Sequence, residues 1–224
     1  MHLVMFDIDG TLTLSNDLDD TAFLNALDEV FNIREVSTDW ATYPHVTDAG
    51  IFNEVCMTHL QRIASPSEEA AFRDCFLKQL TSRADQIKEV PGASVMLAKL
   101  GETEGYAIAY AGGAWNNSAL LKLQSAHLPY QDIPHAFSDD ALDRASIAQI
   151  ARSRAEKTYG CQFDTVTYIG DGVWDVWTAQ KLGFEFIGIT CCSNESALLA
   201  QGAVSLLSDY TDLLAFMEYL RSPA

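Results

Sequence analysis

Asp7 and Asp9 stand two residues apart at the end of an apolar run, Leu3-Val4-Met5-Phe6, and Gly10-Thr11-Leu12 follows them. The run has the length of a buried strand, and the abrupt change in polarity reads as that strand's C-terminal edge. Open parallel sheets bind ligands at that edge. Two carboxylates there repel each other unless a cation or a shared proton offsets them. A second stretch repeats the pattern: Thr167-Tyr168-Ile169-Gly170 ends in Asp171, and Asp175 follows in the first turn of the next helix. If the two strands are neighbours, Asp7, Asp9, Asp171 and Asp175 converge. Oxygen ligands without thiolates fit a hard cation, Mg²⁺ before anything softer. Taken singly, Asp9-Gly10 is a turn dipeptide and Asp175 a carboxylate favoured by a helix N-terminus. Only the set points to metal chemistry.

The elements that must position these groups follow from periodicity. Apolar residues at Phe23, Leu24, Leu27, Val30 and Phe31 mark one helical face. Further helices are predicted from about Ala49 to Ile63, and from the Ser65-Pro66-Ser67-Glu68 cap toward Arg83. Residues 15–88 thus read as helices and loops, an inserted helical subdomain. After Val90-Pro91-Gly92, strand and helix patterns alternate to the end. Strands are expected at Tyr106–Ala111, His135–Ser138, Val166–Gly170 and Phe184–Ile189, with a short run at Val204–Leu207. Such alternation means βαβ units and a mainly parallel sheet. The expected fold is α/β: a Rossmann-like, mainly parallel core from residues 1–14 and 89–224, with an α-helical cap at 15–88.

Composition narrows the partners. The 224 residues are 48% hydrophobic and carry a net charge of -17. Nucleic acid and anionic membrane surfaces are therefore excluded as expected partners. An acidic protein also repels anionic substrates, so a phosphate site would need a local cation. No segment has the apolar length of a membrane span, and the N-terminus runs straight into the first strand without a basic leader. The five cysteines, Cys56, Cys75, Cys161, Cys191 and Cys192, show no metal-finger spacing. They read as reduced packing residues of a cytoplasmic protein.

Asp7-Ile8-Asp9-Gly10-Thr11-Leu12 together with Gly170-Asp171-Gly172-Val173-Trp174-Asp175 resembles the haloacid dehalogenase-like hydrolase superfamily. The likeness covers nearly the whole chain, since the helical insertion also matches that family's cap. It implies a Mg²⁺-dependent phosphomonoester hydrolase acting on a small phosphorylated metabolite. Asp7 would be the nucleophile that forms an aspartyl-phosphate, and Asp9 the general acid and base. Asp7, the backbone carbonyl of Asp9, and Asp171 would hold Mg²⁺, with Asp175 supporting its shell. A phosphomutase or phosphotransferase would use the same pair. A weakened binding protein of the same fold is the alternative of another class.

Two positions depart from the family pattern. A Ser or Thr is expected at the end of the second core strand, and that place is assigned to Ala111. Gly112 and Gly113 would still present N–H groups to phosphate. The basic residue before the last motif, usually Lys, is assigned to Arg144, which keeps the charge but differs in reach. As a plain surface residue, Arg144 would pair with Asp140 or Asp143. The loop from Tyr43 to Ile51 is similar to the substrate-facing loop of β-phosphoglucomutase-like members. Tyr43, His45 and Thr47 are its candidate substrate contacts. Thr47 and Asp48 also read as caps for the helix that follows, the plainer role and the one assigned to Asp48. Trp115 and Trp174 stand beyond strand ends, placed either to wall the site or to pack against the cap.

Overall fold

A computed structural model describes residues 1–191 and 194–221. Cys192 lies outside them. Eight strands, nine α-helices and two short 3-10 turns are present among the described residues. Strand β1 (His2–Phe6) pairs in parallel with β4 (Tyr106–Ala111) and β6 (Thr165–Gly170). Beyond β4 lies β5 (His135–Ala136), and beyond β6 lie β7 (Glu185–Ile189) and β8 (Leu206–Leu207). The spatial order β5-β4-β1-β6-β7-β8 reverses direction of growth at β1. This is the switch point at which doubly wound sheets bind ligands. The expected α/β sheet is thus present and parallel throughout its pairs.

Alternation along β1 divides the core. Val4 and Phe6 pack with Ile8 toward α4 (Ala93–Glu102), α5 (Asn116–Ser125) and α9 (Leu213–Arg221). Leu3 and Met5 face the opposite layer with α6 (Arg144–Tyr159) and α7 (Val173–Leu182). The short α8 (Glu195–Ala200) completes the edge near β7 and β8. The predicted elements recur with small shifts. Helix α6 begins at Arg144, because Asp143 accepts from Ser146 N–H at 3.1 Å and caps it. Helix α2 stops at Leu60, before Ile63, where Gln61 turns left-handed.

Between β2 (Thr13–Leu14) and β3 (Lys88–Glu89), which pair antiparallel, the chain forms α1 (Asn16–Phe31), α2 (Asp48–Leu60) and α3 (Pro66–Thr81). The capping box expected at Ser65 and Glu68 starts α3. These helices bury an aromatic cluster of their own around Phe23, Phe52, Phe72 and Phe76. Trp115, at the start of α5, inserts into that cluster, 5.8 Å from Phe72 and 6.2 Å from Phe52. It therefore packs against the insertion and does not wall the site. Among the described residues no helix is long and apolar enough to cross a membrane. Cys56, Cys75 and Cys161 stand as unbridged thiols.

Candidate active site

Register places the first acidic pair. Phe6 lies between Tyr110 and Ile169, so Asp7 emerges at the sheet edge between the ends of β4 and β6. Asp7 N–H donates to Ile169 O at 3.0 Å and holds the backbone there. Asp171 leaves the neighbouring strand end, and Asp175 turns back from α7 to accept from Gly172 N–H at 3.0 Å. Asp7, Asp171 and Asp175 are buried, and each offers an oxygen within 4.8 Å of the others. Gly10 has φ +69°, and a Cβ there would lie 2.0 Å from Asp171 Oδ2. Only glycine lets the loop after Asp9 approach so closely.

The electrostatics of this corner are unbalanced. Burial and the neighbouring Asp175 push Asp7 up to about 8. Burial likewise raises Asp171 and Asp175 above the usual carboxylate range. Arg144 Nη1 reaches Asp175 Oδ1 at 2.8 Å and Asp7 Oδ1 at 3.3 Å, so one guanidinium serves a set of three acids. Asn16 donates to Asp171 Oδ2 at 3.1 Å, while its Oδ1 is buried with no hydrogen-bond partner among the described residues. Three repelling oxygens and one unpartnered amide oxygen fit a hard divalent cation.

A cavity of about 120 Å³ opens over these groups, lined by Asp7, Asp9, Arg144, Asp171 and Trp174 from the core. The insertion closes it with Asp19, Asp20, Phe23, Trp40, Thr47 and Asp48, among others. Arg144 also donates Nε–H to Val46 O at 2.7 Å and stacks 5.5 Å from the Trp174 ring centre. It sits between Asp7 and Asp175, in place of the surface pairing with Asp140 or Asp143.

Several expected placements change. The Asp9 side chain is not part of the metal-compatible cluster, because both its oxygens are engaged elsewhere. Ser15 Oγ–H donates to Oδ1 at 2.5 Å and Lys122 Nζ–H to Oδ2 at 2.7 Å. Ala111 does not line the cavity. Its side chain is buried in the layer of Met5, Ala109, Ala136 and Tyr168, and its carbonyl accepts from the Tyr168 hydroxyl. The residue against Asp7 is Gly112, where a Cβ would stand 2.6 Å from Asp7 Oδ1. The missing hydroxyl thus belongs one residue later, and the Asp7 carboxylate occupies the space a side chain would need. Gly113 lies beside Arg144 and lines the cavity.

Tyr43 and His45 face a separate cleft of about 170 Å³ on the outer side of Arg144, not the central cavity. The Tyr43 hydroxyl is spent on Ser37 O at 3.0 Å. Thr47 lines the cavity, but its Oγ1 accepts from Gly50 N–H and donates to Leu142 O, so it caps α2 and ties the insertion to the core. Asp48 does more than cap: it accepts from Trp115 N–H at 2.9 Å, and burial pushes it up to about 6.

The residues that sequence reasoning missed are Lys122, Asp19 and Asp20. Lys122 is 0% exposed and its ammonium lies between Asp9 and Asp19. Its position beside Ala119 and Leu123 on the apolar face of α5 was a usable signal, since lysine is almost never fully buried unless paired. Asp19 and Asp20 resembled ordinary acids near a helix start.

A sequence profile for haloacid dehalogenase-like hydrolases matches residues 1–183. No curated protein matches the sequence. Among solved structures, a hydrolase from Pseudomonas syringae is 21% identical, with 99% of this chain and 100% of that one covered at a TM-score of 0.73. CbbY from Rhodobacter sphaeroides, in complex with phosphate, is 17% identical, covering 94% and 95% of the two chains at a TM-score of 0.68. A predicted phosphoglycolate phosphatase from Haemophilus somnus is 16% identical, covering 96% and 97% at 0.61. At such identities these likenesses establish the shared fold. The profile match spans both acidic strand ends and the helices between them, and by it the chain belongs to the haloacid dehalogenase-like hydrolases.

Proposed function

We propose that the protein is a Mg²⁺-dependent phosphomonoester hydrolase acting on a small phosphorylated metabolite through an aspartyl-phosphate. The observation that carries this reading is the meeting of Asp7, Asp171 and Asp175 oxygens beneath a cavity roofed by the helical insertion. In it, an Asp7 oxygen bonds to phosphorus as the ester P–O bond breaks, and Asp9 gives a proton to the departing alcohol. A water then gives a proton to Asp9 and attacks phosphorus, releasing inorganic phosphate and restoring Asp7. Arg144 and the N–H group of Gly113 would grip the phosphoryl oxygens, since the Gly112 N–H is directed at Ala136 O at 3.4 Å in the sheet. Asp7, Asp171 and Asp175 would hold the Mg²⁺, which neutralises charge between the nucleophile and the anionic ester. Helices α1–α3, residues 15–88, would act as the cap.

Hydrolysis is favoured over a mutase by the roof of the cavity. Among the described residues lining it, the insertion supplies Asp19, Asp20 and Asp48 and no Lys, Arg or His. A second phosphate would meet carboxylates there. A binding role without chemistry has no physical need for three buried, repelling acids. A reducing, cytoplasmic setting belongs to the same proposal and is supported by the unbridged thiols. The test is incubation with Mg²⁺ and p-nitrophenyl phosphate. Turnover that is lost on adding EDTA and in Asp7→Asn is the expected result. Metal binding without turnover of any ester in a broad panel would sink the reading.

A further inference from the structure

Lys122 has no task in the reaction as written, yet it is the most deeply buried cation near it. It lies on α5, a core helix, and is fully buried. Its ammonium donates to Asp9 Oδ2 at 2.7 Å and forms an ion pair with Asp19 Oδ1. Asp19 belongs to α1, the first helix of the insertion. On its other side Asp9 is held by Ser15 Oγ at 2.5 Å, and Ser15 is in turn bonded to Thr13 Oγ1 at 2.7 Å. Asp9 therefore cannot rotate without breaking one of two charge-assisted or short hydrogen bonds. Burial alone would lower the pKa of Lys122, but Asp19, Asp9 and Asp48 more than reverse that, so it stays charged.

A buried ion pair is weak evidence for stability, because desolvation offsets much of the Coulombic gain. What it does supply is a fixed geometry. A proton-transfer group must lie within hydrogen-bond reach of the oxygen it serves. We propose that Lys122 is a positioning residue: it seats Asp9 for the acid–base step and, by sharing its ammonium with Asp19, makes that seat depend on the docked insertion. The proposal rests on the assignment of Asp9 as acid and base in phosphoester hydrolysis.

The test exploits the leaving group. An alkyl alcohol needs a proton as it departs, whereas p-nitrophenolate leaves without one. Single turnovers with enzyme in excess isolate this first step. In Lys122→Met, alcohol release from 2-glycerophosphate is expected to slow by about 100-fold. Release from p-nitrophenyl phosphate should slow by less than about threefold, since no proton transfer is needed there. Equal slowing of both esters, or no slowing, overturns the proposal, because a merely structural lysine cannot discriminate leaving groups. The double variant Lys122→Met, Asp19→Asn removes both charges and guards against misfolding; the same split is expected. Asp19→Asn alone should show the split in smaller degree, and its absence would overturn the dependence on the insertion. A crystal structure of Lys122→Met gives a readout free of turnover. Asp9 is expected to leave its contact with Ser15, and an Asp9 unmoved overturns the proposal. If the unaltered protein cleaves neither ester, it is the hydrolase reading that falls, and that crystal structure still decides whether Lys122 seats Asp9.

Discussion

The cavity has two acidic corners built on opposite rules. At one, Asp7 and Asp175 share a single guanidinium, and with Asp171 they hold their oxygens within 4.8 Å of one another. At the other, Asp9 and Asp19 share a buried ammonium, with Asp48 close by. The first corner is left short of positive charge and is open to a ligand. The second is supplied with a full positive charge by the chain itself. The contrast separates two uses of carboxylates in one small volume. On the proposed reading, one set would recruit a cation and a substrate, and the other would spend its charge on fixing a side chain.

The largest effect that could break this contrast is loss of the proposed nucleophile. Asp7→Asn should lower turnover of p-nitrophenyl phosphate by on the order of 10⁴ or more. Steady-state kinetics on the folded variant checks it, and residual activity near the unaltered level would remove Asp7 from the chemistry. Next comes the grip on the phosphoryl group. Arg144→Ala is expected to cost about 10² to 10³ in kcat, the range for losing one preorganised donor.

Metal affinity sharpens the comparison further. Titration calorimetry with Mg²⁺ should show Asp171→Ala binding at least about tenfold more weakly, as for lost metal support. Asp19→Ala should bind as the unaltered protein does. Equal weakening in both would mean that the corners are not separate.

The smallest expected effect is on stability of the metal-free protein. Asp7 titrates near 8 when folded, well above its ordinary value of 3.8. Between those values the folded state holds more protons than the unfolded state, so stability falls as pH rises. The Tm of EDTA-treated protein should therefore drop from pH 5 to pH 8. Added Mg²⁺ should raise Tm more at pH 8 than at pH 5, because fewer protons must leave the carboxylates for it to bind. A Tm that climbs across that range without metal would contradict the open corner.

How far the sequence could be read follows the same division. The open corner is encoded locally: an apolar run, then carboxylates, twice over. Strand ends are legible from polarity, and parallel pairing brings the two ends together. The closed corner joins Asp9 to Lys122 across 113 positions, a pairing that periodicity does not encode. Lys122 betrayed itself only by standing on an apolar helix face. The error at Ala111 was one residue of register at a strand end, and a one-residue slip moves a side chain into another environment. Arg144 was legible because a helix start fixes direction. Tyr43 and His45 were not, since a loop without periodicity gives no face to read.

Trp115 has a consequence for the molecule as a set of parts. The insertion's aromatic cluster is completed by this core residue. Excising residues 15–88 would leave an indole without its socket, and grafting them onto another scaffold would leave the socket unfilled. The insertion is therefore not an interchangeable module. Recombination with a relative would have to carry residue 115 along with the helices that enclose it.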